Sequence, residues 1–217
     1  MDSLLDHAFS TLEAGGILDD ALIFILADHG EEFFEHGGFS HGHDVHQEQV
    51  HVPLVVLWPE WLGQEAPLQV NDPVSLLDLL PTLSELLDLP TPDAGVSGIS
   101  LLPLLRGEIS HNRPVAEAVY RGSYRAAYRE GSYKVRFVLD AATSPRDTGE
   151  IEVFDLRSDP AELHPLLLEG EVAAIAGRAR EALHARRQSW PDPVKRKEPT
   201  GMDDDTIEQL RVLGYVD

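Results

Sequence analysis

Cysteine is absent from this 217-residue chain. Disulfides, thiolate-held metals and a cysteine nucleophile are therefore excluded within it, while either side of a membrane remains compatible with the composition. Positive charge is scarce: 17 Lys and Arg stand against 38 Asp and Glu, a formal net charge of -21. Nucleic acid needs a basic footprint, so no nucleic-acid partner is expected. A small anionic substrate is still admissible, because one bound cation reverses the sign of a local field. Long apolar runs are missing too; none reaches the ~18 residues that a membrane span needs. Met1-Asp2-Ser3 leads straight into an amphipathic pattern, without the basic and apolar regions of a signal peptide. The expectation is a cytoplasmic protein or a start that lies upstream.

Apolar residues make up 42% of the chain, ordinary for a globular protein able to bury a core. Leu4, Leu5, Ala8, Phe9 and Leu12 fall at helical spacing, and Gly15-Gly16 should stop that helix. Ala21 to Ala27 and Val52 to Leu57 are continuous apolar runs, as expected of strands buried on both faces. Pro73 to Leu87 reads as a helix with Pro73 near its first turn and a stripe of leucines from Leu76 to Leu87. Leu101 to Leu105 reads as a short packed segment ended by Gly107.

From Val115 the texture changes to alternating strands: Tyr124–Tyr128, a turn at Glu130-Gly131, Tyr133–Leu139, then Ile151–Leu156. Val172 to Arg187 returns to helix, and 191–205 reads as a linker or surface arm. The expected fold class is α/β with a boundary near residue 110. Residues 1–110 would form a partial α/β sheet with a functional loop, and 111–217 a small antiparallel α+β subdomain.

The loop between the first two strands carries the chemistry. It runs for about two dozen residues, far beyond a usual connection, and such loops at strand ends are commonly functional. Six of the ten histidines lie between His29 and His51, interleaved with Asp28, Glu31, Glu32, Glu35, Asp44 and Glu48. Asp28 and His29 stand directly after the first strand, where α/β folds place ligands, and Gly30 leaves room for the backbone to bend. A carboxylate and an imidazole so placed can share one divalent ion, with Mn, Mg, Zn and Ca all suited to such donors. His36, His43 and His51, taken singly, read as stray histidines of a solvated loop. Two donors do not complete a site, so further ligands must come from elsewhere.

These residues resemble a family. Ala27-Asp28-His29-Gly30-Glu31-Glu32, then Glu35-His36-Gly37, then His41-Gly42-His43-Asp44-Val45-His46-Gln47-Glu48 and Val52-Pro53-Leu54-Val55 are similar to the sulfatase branch of the alkaline phosphatase superfamily. So are Asp78–Leu83, Gly98–Leu105, Phe154-Asp155-Leu156 with Asp159-Pro160-Ala161-Glu162, and Leu210–Tyr215, all in order. The resemblance implies an alkaline-phosphatase-like sheet and hydrolysis of small-molecule or glycan sulfate esters. It implies a divalent metal, calcium above all, on Asp28 and His29. The family's sulfate-contacting Lys aligns with Gly42 and its Tyr with His46, so His41 is the substitute catalytic residue and His43 the second choice.

The family's nucleophile motif, Cys/Ser-x-Pro-x-Arg, does not occur in the chain; Ser144-Pro145-Arg146 lacks the spacer and reads as a polar turn. The chain on its own is therefore expected to be a carboxy-terminal part that is inactive alone, partnered by a missing amino-terminal half or by self-association. Two other readings use the same residues. A phosphodiesterase, phosphonate hydrolase or phosphoethanolamine-transferase relative employs the same Asp-His pair, and a non-catalytic His-rich module would chelate metal without turnover.

Overall fold

A computed structural model of the chain describes residues 2–59, 69–90, 97–106, 108, 114–120, 123–140 and 150–189. The chain divides into two compact units, Met1–Leu183 and His184–Asp217. Within the second, only residues 184–189 are described. The Ser144-Pro145-Arg146 turn, the arm at 191–205, the Leu210–Tyr215 ending, Gly107 and the boundary near 110 all lie outside the described residues.

Helix α1 spans Asp2–Ala14 and is followed by Gly15 and by Gly16 at φ 64°, so the expected stop holds. None of its residues is buried. Strand β1 (Ile23–Leu26) and strand β4 (Leu54–Leu57) pair antiparallel, Ile23 opposite Leu57 and Leu26 opposite Leu54. Their predicted burial on both faces is not found: Leu26, Val55 and Leu57 are exposed and the rest half-buried. An apolar run shows that both faces favour cover. Cover also needs neighbouring layers, and among the described residues each strand has one hydrogen-bonded neighbour.

The helix expected from Pro73 starts later. Ser75 accepts a hydrogen bond from the Leu77 amide, and the Asp78 carboxylate accepts one from Ser75 N at 2.8 Å. This reciprocal cap sets a 3-10 turn at Leu76–Asp78 and then α3 (Leu79–Leu86). Capping chemistry thus overrides the preference of Pro73 for a first turn. The leucine stripe is largely uncovered, with Leu77, Leu80 and Leu87 exposed, whereas Thr82 and Ser84 are buried. Asp78 also accepts from Ile99 N (3.0 Å), and the Thr82 hydroxyl from Leu101 N (2.9 Å). These bonds bring the segment before α4 (Leu102–Leu105) against α3.

The later part follows the sequence closely. Strands β5 (Val115–Tyr120), β6 (Ser123–Glu130), β7 (Tyr133–Asp140) and β8 (Glu150–Asp155) form an antiparallel meander in that order. Period-two alternation gives it two unlike faces. One carries Tyr124, Ala126, Tyr128, Val135, Phe137 and Val153, all buried. They pack against Ile175, Ala176, Ala179 and Leu183 of α5 (Gly170–Ser189), whose spacing of about four residues makes one helical stripe. Each large side chain fully buried there contributes about 1.5–3 kcal/mol. The opposite face carries Arg125, Ala127, Lys134, Arg136, Glu152 and Phe154, and it receives the acid–histidine loop.

Candidate functional site

The loop leaves β1 at Asp28 and returns through α2 (Gln47–Val50) to β4. Its two ends touch. Gly30 N donates to Gln49 O at 2.8 Å, and a Cβ on Gly30 would lie 2.0 Å from the Glu48 carbonyl oxygen. Gly30 is thus required by a close backbone approach, where the sequence suggested only a bend. Between the ends, β2 (Glu32–Phe33) and β3 (Phe39–Ser40) form a short hairpin.

The structure brings Asp28, His29, Glu31 and His41 together. His29 Nδ1 lies 2.8 Å from the Gly30 carbonyl oxygen. A carbonyl only accepts, so Nδ1 carries the proton and Nε2 keeps a lone pair. That Nε2 is 3.7 Å from Asp28 Oδ1. Two donors bound to one ion at about 2.0–2.5 Å stand roughly 3–4 Å apart, so this donor pair fits two positions of a divalent ion's shell. Asp28 is largely exposed and His29 half-buried, both accessible from solvent. Among the described residues, no group of three or more His, Asp and Glu side chains could hold an ion. The His41 ring stacks on His29 with centroids 3.9 Å apart, and its Nδ1 lies 3.2 Å from Glu31 Oε2.

His43 is held elsewhere. Its Nε2 donates to Glu32 Oε2 at 2.8 Å, and the Gln49 side-chain amide donates to the same oxygen at 3.0 Å. Glu32 is 1% exposed and also accepts from Gly38 N (2.6 Å) and His36 N (3.1 Å). Burial opposes its charge, yet the Gly38 amide, His43 and the His36 amide outweigh it and hold the carboxyl below its ordinary value. His36 bonds Glu48 at 2.7 Å and stacks on His46 at 3.6 Å. His36 and His43 are therefore fixed parts of polar networks, contrary to the expectation of stray loop histidines; His51 is exposed.

The loop's outer side is bound by charge to the β5–β8 sheet. Asp44 takes a bidentate pair from Arg136, at 2.8 and 2.6 Å, with Arg125 Nε at 3.4 Å. Burial opposes ionisation of Asp44, but Arg136 and the Val45 amide dominate and lower its pKa to about 2. Glu162, 3% exposed, pairs with Lys134 at 2.6 Å, accepts from Gln47 N at 2.6 Å and from His46 Nδ1 at 3.3 Å. Burial pushes the Lys134 ammonium below its ordinary value despite Glu162 beside it. Asp28 and His29 line one open cleft of about 1430 Å³ together with Asp44, Gln47 and Lys134. Sequence reasoning on single residues missed Gln49, Arg136 and Glu162 and the pairing of Glu32 with His43; only the Asp-Pro-x-Glu stretch hinted at Glu162.

An α/β chain with an acid–histidine loop at a strand end and a small antiparallel sheet behind it has the architecture of the alkaline-phosphatase-like hydrolases. A solved 2-O GAG sulfatase superposes with a TM-score of 0.58 at 28% identity, covering 78% of this chain and 36% of that one. Residues 1–89 match the sequence profile of the family described as Sulfatase. Arylsulfatase A of Homo sapiens is 30% identical over 86% of this chain, and arylsulfatase K of Bos taurus 29% identical over 75%. The chain is thus similar to the sulfatase family, over residues 1–89 by the family profile and over most of its length by these relatives. It spans 41% of the length of that arylsulfatase A and 30% of that arylsulfatase K.

Proposed function

We propose that this chain is the metal-loop portion of a sulfuric ester hydrolase acting on a small-molecule or glycan sulfate ester. The observation that carries the reading is the convergence of Asp28, His29 and His41 at the end of β1, with two donor atoms 3.7 Å apart. Relatives named arylsulfatases and a structural neighbour named a 2-O GAG sulfatase support the same class. Asp28 and His29 would supply two ligands of a divalent ion, calcium above all, with the rest contributed by residues outside this cluster. Such an ion, when bound, neutralises charge on the sulfate oxygens. His41, oriented by Glu31 and by the His29 ring, would contact the sulfate or the leaving oxygen; His43, tied to Glu32, is the second choice. Residues 1–110 carry the metal loop in this reading, and within 111–217 the β5–β8 sheet and Glu162 buttress it.

The chain contains no Cys/Ser-x-Pro-x-Arg motif, so it should show no aryl-sulfate turnover by itself. Calorimetric titration with Ca, Mn and Zn tests the metal assignment directly. Asp28→Ala should weaken binding by tenfold or more, as loss of one charged ligand implies, while His51→Ala leaves it unchanged. Binding that survives Asp28→Ala and disappears in His51→Ala would refute the assignment and favour a chelating tract.

A further inference from the structure

The Asp159-Pro160-Ala161-Glu162 stretch has no part in the site proposed above, yet it is built with unusual care. Asp159 Oδ1 and Oδ2 accept from the Leu163 and His164 amides at 3.1 and 2.8 Å, and Glu162 N donates to Asp159 O at 3.2 Å. The turn places Glu162 at φ 54°, a left-handed conformation unfavourable for a residue with a Cβ. The strained backbone presents both the carbonyl and the carboxylate of Glu162 to the acid–histidine loop, more than a hundred residues earlier in the chain.

His36 receives the carbonyl, and His46 and the Gln47 amide receive the carboxylate. The Nδ1 of His36 faces Glu48 Oε1 at 2.7 Å and its Nε2 faces the Glu162 carbonyl at 3.3 Å. A carboxylate and a carbonyl are both acceptors, so both ring nitrogens can be satisfied only if both carry protons. His46 lies flat on this ring, 3.6 Å away and 6° from parallel, with its Nδ1 on Glu162 Oε2. The remaining charges around the stack are Glu32, whose carboxylate takes the His36 amide, and Asp44, 4.0 Å from His46 Nε2. Behind them stand Lys134 against Glu162, Arg129 near Glu162, and Arg136 and Arg125 against Asp44.

We infer that Glu162 is a positioning residue: it latches the acid–histidine loop onto the β5–β8 sheet through a cationic His36 stacked on His46, and the latch loosens when His36 gives up its proton. That this loop carries a reaction rests on the proposal above; the latch rests on the geometry alone. The direction of the ionisation agrees with it. Burial opposes the charge on His36, and Glu48 and then the Glu162 carbonyl outweigh it, raising the group above the ordinary imidazole value. A raised value means the contribution is complete below about pH 6.5 and is lost as pH climbs through the folded-state value. Glu162 and Glu32 are lowered, so their share is present above about pH 4.5 and is lost on acidification. The latch is therefore tightest in mildly acidic solution.

The test is side-chain imidazole NMR and amide hydrogen exchange on the whole chain between pH 4.5 and 9, with exchange corrected for its intrinsic pH dependence. In the wild type, His36 should titrate above the ordinary imidazole range, and amides of residues 36–49 should lose about tenfold protection across that titration. Protection in β6 and β7 should not change. Glu162→Gln, which keeps the shape and removes the charge, should lower the His36 midpoint and expose the loop amides at every pH. Glu48→Gln should lower the same midpoint while the Gln47 amide stays protected by Glu162. An unchanged His36 midpoint in Glu162→Gln, or loop protection independent of pH in the wild type, overturns the inference. Should Glu162→Gln fail to fold, the wild-type pH series and Glu48→Gln still decide. Neither readout involves metal, so a failed metal titration at Asp28 would leave the latch standing, and the reverse.

Discussion

The two faces of the β5–β8 sheet hold their neighbours by opposite means. Toward α5 the contact is apolar, with Val135, Val153, Ala126 and Ala179 each 0% exposed. Toward the acid–histidine loop it is ionic: Arg136 pairs with Asp44 directly, and Lys134 pairs with Glu162, which in turn holds His46 and the Gln47 amide. An apolar face gains from area and is indifferent to pH. A buried ionic face depends on every partner keeping its charge, and removing one partner strands the other. One sheet thus supplies the chain's steady core on one side and a conditional seat for the site loop on the other.

The comparison is broken most severely on the apolar side. Phe137→Ala should cost about 3–5 kcal/mol in urea unfolding, because the cavity opens against α5 with little room to collapse. The penalty should be the same at pH 5 and pH 8, since no charge is touched; a marked pH dependence would mean that the two faces are not separate.

On the ionic side the expected effect is smaller and conditional. The Asp44 carboxyl falls from the ordinary value of 3.8 to about 2, worth about 2 kcal/mol at roughly 1.4 kcal/mol for each tenfold in binding of the proton. A lowered carboxyl contributes fully above its unfolded value and loses that contribution as pH falls through about 2. Asp44→Asn should therefore destabilise by about 2 kcal/mol at pH 7 and progressively less below pH 4. A cost that persists unchanged at pH 2.5 would show that Asp44 acts by shape rather than by charge. Smallest of all, Leu4→Gln should move stability by no more than about 0.5 kcal/mol, because the side chain is 72% exposed on a helix with nothing buried. A larger loss in thermal unfolding would mean that α1 is covered in solution.

The same contrast separates what could be read in the sequence from what could not. The meander and α5 were legible because local pattern and tertiary role agree there. Alternation at Tyr124–Tyr128 and Tyr133–Phe137, the Glu130-Gly131 turn and the helical run from Val172 each state their own burial. Asp28 and His29 were legible as neighbours at a strand end, and the family resemblance placed the loop. The run Ala21–Ala27 misled, because its composition describes a demand for two covering layers and its setting supplies less. The helix after Pro73 misled for a local reason, the stronger claim of the Ser75–Asp78 cap. His36 and His43 were misread because a histidine's role depends on its partners. Those partners, Glu48 and Glu32, were visible in the loop without any periodicity to pair them. Arg136 lies 92 residues from Asp44, and Glu162 lies up to 126 residues from the loop groups it holds, beyond the reach of any spacing rule.

Gly30 carries one consequence of a different kind. With its amide on Gln49 and no space for a Cβ, it shuts residues 30–49 into a ring whose neck is a single backbone contact. Asp28 and His29 lie outside that neck. Closing such a ring costs conformational entropy that grows only logarithmically with its length, about 0.6 kcal/mol for each doubling. Lengthening the ring by a few residues therefore costs little chain entropy, while His41 on Glu31 and His43 on Glu32, either side of Gly42, are already held in place. The Asp28–His29 pair at the strand end keeps its place outside the neck whatever the length of the ring.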